Sequence, residues 1–310
     1  MKHELLYETN DSFIQKEGND DKVTSIVPGV AYIKDIEEPK YNNSLGILTV
    51  FYDVADTSEA TKIFTSDGIK NNLVEAVIEK NRISPSELTQ EYQFAEAGKH
   101  AVRFIYSNLL EIPENAFSGC TCLYDFKLPK SITKFKSYCF YETGVINLVI
   151  PKQITSYSSG IFQNCQSLKN IVFSPSITDV KTGDAFTNCS NLQKIIFGNG
   201  IVSFGANTTA QRFCSDTIKL NTVIFPPTLA YLGGSYPFAA GTNTSCNIYF
   251  TSLEPPQLQS SISQNMFRNR RNIKIYVPEE SLDVYKTATY FVNDASKIYP
   301  IPSDWDNPYE

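Results

Sequence analysis

A phrase of apolar residues recurs down the middle of the chain, and no other feature restricts its fold as much. It reads NAFSGCTCLYDFKLPKSIT from Asn115, YCFYETGVINLVIPKQIT from Tyr138, GIFQNCQSLKNIVFSPSIT from Gly160 and DAFTNCSNLQKIIFGNGIV from Asp184. A looser copy, RFCSDTIKLNTVIFPPTLAYL, starts at Arg212, and worn copies surround Phe238 and Phe267. The period lies in the low to mid twenties, the mark of a solenoid. A unit of that size cannot bury its own apolar face and has to stack on its neighbours. Function is then expected on a repeated surface rather than in one catalytic cleft.

Aligned on the phenylalanine, the copies give one column of Phe117, Phe140, Phe162, Phe186, Phe213, Phe238 and Phe267. A second column, six residues on, holds Leu123, Leu168 and Leu192, joined by Val145 and Leu220 when one unit is shortened and another lengthened by a residue. A short alternating strand follows, with inward pairs Phe126/Leu128, Leu148/Ile150, Ile171/Phe173, Ile195/Phe197 and Val223/Phe225. A turn comes next, often with proline (Pro129, Pro151, Pro226), and then one more inward residue: Ile132, Ile154, Ile177, Ile201 or Leu229. Proline after a strand stops further pairing. Successive strands should therefore stack in parallel, with the Phe and Leu columns behind them.

This pattern resembles the BspA-like leucine-rich repeats, whose unit reads roughly A-F-x-x-C-x-x-L-x-x-V-x-I-P-x-x-V/I-x-x-I. The match runs from about Leu110 to Pro278. The unit at Phe140 has Thr143 and Gly144 around the cysteine position, and the units after Phe197 carry longer segments at Gly205–Thr217 and Gly233–Cys246. The resemblance implies a surface protein of the kind common in anaerobic host-associated bacteria. The fold expected is mostly β: a leucine-rich-repeat solenoid with a parallel strand ladder over residues 108–278, preceded by a small antiparallel β-sandwich over 44–107.

Short alternating runs with turn signals between them point to that front domain, although residues 70–80 also fit a short helix. Its last strand runs almost directly into the first repeat. Residues 1–43 are polar and acid-rich, with one apolar piece, IVPGVAYIKD, and read as an extended arm. That piece resembles leading segments of some phage- and prophage-encoded proteins that carry these repeats. Residues 279–310 read as a cap, with a short helix placing Leu282, Tyr285 and Ala288 on one face. A tail with the sole tryptophan, Trp305, follows, either folded back on the cap or mobile.

With 310 residues, 42% of them hydrophobic, the chain can form about two folded domains. A net charge of −6 speaks against nucleic acid, which requires clustered Lys and Arg. The one dense basic run, Arg268, Arg270 and Arg271, suits a solvated turn. No apolar run has the roughly 18 residues of a membrane span. The opening MKHELLYETNDSF has no apolar leader core, so a removed leader and delivery outside the secretory route both stay open. Seven cysteines suggest bridges or zinc, but Cys120, Cys165 and Cys189 each lie three residues after a column phenylalanine. Cys139 occupies the place of Ala116 and Ala185. These positions want a small buried side chain, which a free thiol supplies.

No catalytic or cofactor motif is present, and neither histidine, His3 or His100, has a nucleophile near it in sequence. No metal or cofactor is implied. The informative surface is the outward face of the ladder. Its central column reads Lys127, Val149, Val172, Ile196, Ile224, Tyr249 and Tyr276. A polar column beside it includes Asn147, Asn170 and Lys194. An apolar stripe bordered by amides and lysine has the makings of a binding surface. Two plainer readings are that β-branched residues suit exposed strands, or that the arm or front domain covers the stripe. The function expected is a non-enzymatic recognition or adhesion module outside the cell, on the bacterial surface or on a phage particle. Its partner would be a protein or glycan on a host or neighbouring cell, with neither nucleic acid nor membrane insertion. The alternatives are a structural virion component docked through the arm, and a glycan-processing enzyme.

Overall fold

The computed structural model describes residues 4–8, 13–16, 45–180, 183–205, 213–233, 238, 245–258, 267 and 272–309. Of the arm expected over residues 1–43, only the backbone of an antiparallel hairpin, β1 (Glu4–Glu8) with β2 (Phe13–Lys16), falls among them. The IVPGVAYIKD piece, His3 and the Arg268–Arg271 run lie outside the described residues.

The front part is one antiparallel sheet with a smaller layer over it. The strands are β3 (Gly46–Val54), β4 (Thr61–Lys62), β5 (Leu73–Ile78), β6 (Asn81–Ile83), β7 (Glu91–Tyr92) and β8 (Gly98–Tyr106). β3 and β8 pair along their whole length, and Leu48, Val50, Tyr52, Val102, Phe104 and Tyr106 all face the core. The β4–β7 ribbon and a 3-10 turn at Asp67–Lys70 close that face with Ile63, Phe64, Ile69 and Phe94. The Tyr106 hydroxyl donates to Ile69 O at 2.8 Å, tying the two layers. The helix alternative for residues 70–80 is not adopted. Leu73–Ile78 is rich in β-branched residues and lies as β5 against β8, where they pack on the sheet.

From residue 111 two kinds of strand alternate. The longer ones are β10 (Leu123–Lys127), β12 (Asn147–Val149), β14 (Asn170–Val172), β16 (Lys194–Ile196), β18 (Thr222–Phe225), β20 (Cys246–Phe250) and β22 (Ile273–Val277). Between them lie two-residue strands: β9 (Glu111–Ile112), β11 (Lys134–Phe135), β13 (Ser156–Tyr157), β15 (Asp179–Val180), β17 (Ser203–Phe204), β19 (Tyr231–Leu232) and β21 (Gln257–Leu258). The long strands from β12 to β22 form a parallel ladder, joined after the cap by β23 (Ile298–Pro300). The short strands form parallel ladders of their own, β9-β11-β13 and β15-β17-β19-β21.

The Phe column is buried without exception, at 0% exposure from Phe117 to Phe267. Phe117, Phe140, Phe162 and Phe186 stack face to face with centroids 5.1–5.7 Å apart. The Leu column is equally buried. The turns carrying these residues bond from repeat to repeat: Phe117 N–H to Cys139 O, Phe140 N–H to Ile161 O and Phe162 N–H to Ala185 O. Each turn needs left-handed backbone twice. Asn115, Gly160 and Asp184 supply it before the phenylalanine, and Gly119, Asn164, Asn188 and Asp216 after it. Gly, Asn and Asp tolerate that conformation best. At Tyr138 a bulky residue takes it instead, and its ring lies over Gly160, where a Cβ would come within 2.3 Å of the ring.

All seven cysteines are free thiols. Their column has a second use beyond size. The Cys165 thiol donates to Phe140 O at 3.2 Å and the Cys189 thiol to Phe162 O at 3.1 Å, so each reaches a carbonyl of the preceding turn. Thr143 in the shortened unit donates to Phe140 O at 3.0 Å. The far end is closed by helix α1 (Leu282–Thr287), with Tyr285 buried and Leu282 and Ala288 packed beside it. The Tyr285 hydroxyl donates to Ser252 O at 3.0 Å.

Candidate functional site

Side chains alternate across a strand, so the residues flanking each inward one face the open side of the ladder. The parallel register brings them into two columns. One runs Val149, Val172, Ile196, Ile224, Tyr249, Tyr276 and, through β23, Tyr299. The other runs Asn147, Asn170, Lys194, Thr222, Asn247 and Lys274. All nine residues expected at the site thus lie on one sheet face. Lys127 does not join them. β10 pairs antiparallel with β3, Lys127 opposite Thr49, so the first repeat's long strand belongs to the front sheet.

Two amides of the polar column are bonded: Asn170 Nδ2 donates to Asn147 Oδ1 at 2.8 Å. That bond holds the two side chains in register at little desolvation cost.

The apolar column divides in two. Val149 and Val172 are half-buried. Ile196, Ile224 and Tyr249 are 3%, 2% and 9% exposed. They form a separate apolar cluster on the outer face of the sheet, against which Val172 and Tyr276 of the same column and Ile301, Trp305 and Tyr309 pack. The expectation that Val172, Ile196 and Ile224 are all open to solvent therefore fails for the two isoleucines. The element covering Ile196, Ile224 and Tyr249 is the C-terminal tail; the arm's β1 lies close to β12, the strand of Asn147 and Val149. The tail packs on the ladder face; it neither lies on the cap nor hangs free.

Tail and sheet fit by specific chemistry. The Ile301 N–H donates to Val277 O at 2.8 Å, which continues the ladder past β23. The Trp305 indole lies flat on Tyr249, centroids 4.8 Å apart at 7°, and Tyr249 stacks on Tyr276 at 4.8 Å. The Tyr309 hydroxyl donates to Phe197 O at 2.6 Å, with Ile224 O 3.3 Å away. That carbonyl lacks its ladder donor. One repeat on, the equivalent N–H of Thr251 reaches Phe225 O at 3.4 Å. The residue that would serve Phe197 O is Pro226, which has no N–H. Tyr309 fills the place, and burial pushes its phenol well above the ordinary tyrosine pKa, so it stays a donor.

The tail residues Ile301, Trp305 and Tyr309 are part of the site that sequence reasoning did not assign. The readable signal was the proline after β18 together with two aromatics set among acids and prolines. The longer segments at Gly205–Thr217 and Gly233–Cys246 lie largely outside the described residues, at 206–212, 234–237 and 239–244. Among the described residues no group of His, Cys, Asp and Glu could hold a metal ion, and no helix is long and apolar enough to cross a membrane.

Residues 89–214 match the family model described as the BspA type leucine rich repeat region, in six copies. The chain carries a BspA-type leucine-rich-repeat region. The ladder extends beyond that match in unbroken register to β23, so the divergent units after Phe197 keep the repeat geometry. Two solved structures are similar. One is a leucine-rich repeat protein from Bacteroides ovatus, 21% identical, TM-score 0.36, covering 63% of this chain and 52% of its own. The other is a leucine rich cell surface protein from Faecalibacterium prausnitzii, 16% identical, TM-score 0.25, covering 58% and 61%. The chain therefore spans between half and two thirds of their lengths. No curated protein matches.

Proposed function

We propose that the chain is a non-enzymatic recognition module, displayed outside the cell, that binds a protein partner on the outward face of its strand ladder. What supports this reading is the less covered end of the apolar column. Val149 and Val172 stand partly exposed beside the hydrogen-bonded Asn147–Asn170 amide pair and Lys194. An apolar centre with a satisfied polar rim is the anatomy of a protein interface. Two valines offer no flat ring for a sugar to stack on, so a protein surface fits this half better than a glycan.

The test is attachment of the labelled protein to bacterial and epithelial cell surfaces. Val149→Lys with Val172→Lys should weaken attachment about tenfold or more, since a charge is then buried without a partner. The unfolding free energy should change by about 1 kcal/mol or less, because both side chains keep some exposure. Unchanged attachment would remove this face from the binding role.

A further inference from the structure

We infer that residues 301–309 are a releasable strap, and that the stripe beneath them takes an extended segment of the partner carrying two aromatic side chains placed like Trp305 and Tyr309. This rests on the reading of the ladder as a protein-binding face and says what that face selects.

The tail shows what the stripe accepts. Tyr249 and Tyr276 form a stacked platform on which a flat ring lies, as Trp305 does. Phe197 O is a fixed acceptor, left over because Pro226 cannot donate, and it takes a hydroxyl four residues further along the bound segment. Between the two, Ile196 and Ile224 give an apolar floor. These features belong to the folded ladder and persist when the tail leaves.

The tail is also held in a way that permits leaving. Its N–H groups at Trp305 and Tyr309 are spent on its own turns, to Pro302 O at 3.0 Å and Asn307 Oδ1 at 3.1 Å. Its attachment includes the Ile301 N–H, the Trp305 indole face, the Tyr309 hydroxyl and the packing of these three side chains on Ile196, Ile224 and Tyr249. A segment held mainly by side chains, with few main-chain bonds to the body, opens at lower free energy than the strands it rests on. The covered stripe adjoins the open one in the same column, Ile196 beside Val172. A partner seated on Val149 and Val172 would meet the tail's edge next and could extend across the stripe as the tail withdraws.

The test uses the full chain. Trp305→Ala with Tyr309→Ala unlatches the tail, and a fluorescent peptide of residues 301–310 serves as the aromatic segment in trans. The unlatched variant should bind it saturably. Wild type should bind about tenfold more weakly or worse, because its own tail competes at an effective concentration near millimolar. A peptide with both aromatics replaced by alanine should not bind, and Ile224→Lys in the unlatched chain should abolish binding. Circular dichroism matching wild type shows that the ladder is intact. With that control met, no difference between the aromatic and alanine peptides at millimolar concentration overturns the proposal. So does equal binding by wild type. A wild-type dimer that forms with concentration and is lost in the unlatched variant would make a second copy the occupant, which also overturns it. If the peptide result fails while Val149→Lys with Val172→Lys still weakens cell attachment about tenfold or more, the recognition reading stands and only the strap falls.

Discussion

Val149 and Val172 at one end of the outward column, and Ile196, Ile224 and Tyr249 further along it, are chemically one stripe in one register. Yet the first two are half-open and the other three are closed. Nothing in the strands themselves separates them, since all are parallel, all follow the same inward packing and all are β-branched or aromatic. The difference comes from the tail. At the closed end Phe197 O, beside Pro226, takes the Tyr309 hydroxyl, and Tyr249 with Tyr276 offers an aromatic platform for Trp305. How much of an apolar sheet column stays open is thus decided by the rest of the chain and not by the strands.

The largest expected effect lies beneath both halves. Phe162→Ala under the open half and Phe186→Ala under the closed half should each cost about 3–5 kcal/mol, because both rings are fully buried, Phe162 stacked between Phe140 and Phe186 and Phe186 between Phe162 and an edge-on Phe213. Coupling is nearest-neighbour, so denaturant unfolding should broaden or split rather than only shift. A large inequality between the two would show that the core, and not the cover, distinguishes the halves.

The comparison itself is read from lysine substitutions on the outer face. Ile224→Lys should cost about 1–3 kcal/mol by dislodging the tail, whereas Val149→Lys should stay within about 0.5 kcal/mol. Equal, small costs in chemical unfolding would mean that the tail does not rest on Ile224. Tyr309→Phe is finer still. It leaves Phe197 O without a donor and should cost about 0.5–1.5 kcal/mol, with a change in Trp305 emission. Between the halves no difference is expected in thiol behaviour. Burial pushes Cys165 up to about 11 and holds Cys189 well above the usual thiol range. Neither should be alkylated in the native protein at neutral pH, and labelling should begin at half-buried Cys122. Faster labelling of Cys189 than Cys165 would place an opening in the core beneath the tail.

The Phe, Leu, Cys and Pro positions were legible because one packing requirement is imposed many times, and repetition separates it from chance. The two-residue ladders were not, since Lys134–Phe135 or Ser203–Phe204 is too short to show a period of two. The recruitment of β10 by the front sheet was hidden for another reason: Phe126 faces inward and Lys127 outward whichever neighbour the strand pairs with. The residues of the stripe could be named, but not their cover. Trp305 and Tyr309 sit in a polar segment with no periodicity, and their role depends on a carbonyl orphaned in Pro226's neighbour strand, which only the register reveals.

The central claim, that the middle of the ladder face is closed by a segment separate from the folding of the solenoid, has a direct probe in the single tryptophan. Urea titration followed by Trp305 emission reports the strap, and far-ultraviolet circular dichroism on the same samples reports the ladder. The account predicts that Trp305 becomes solvated at lower urea, with a shallower dependence, while the β signal is still native. Coincident transitions with the same midpoint and slope would make the tail an inseparable part of the folded core and would contradict the account.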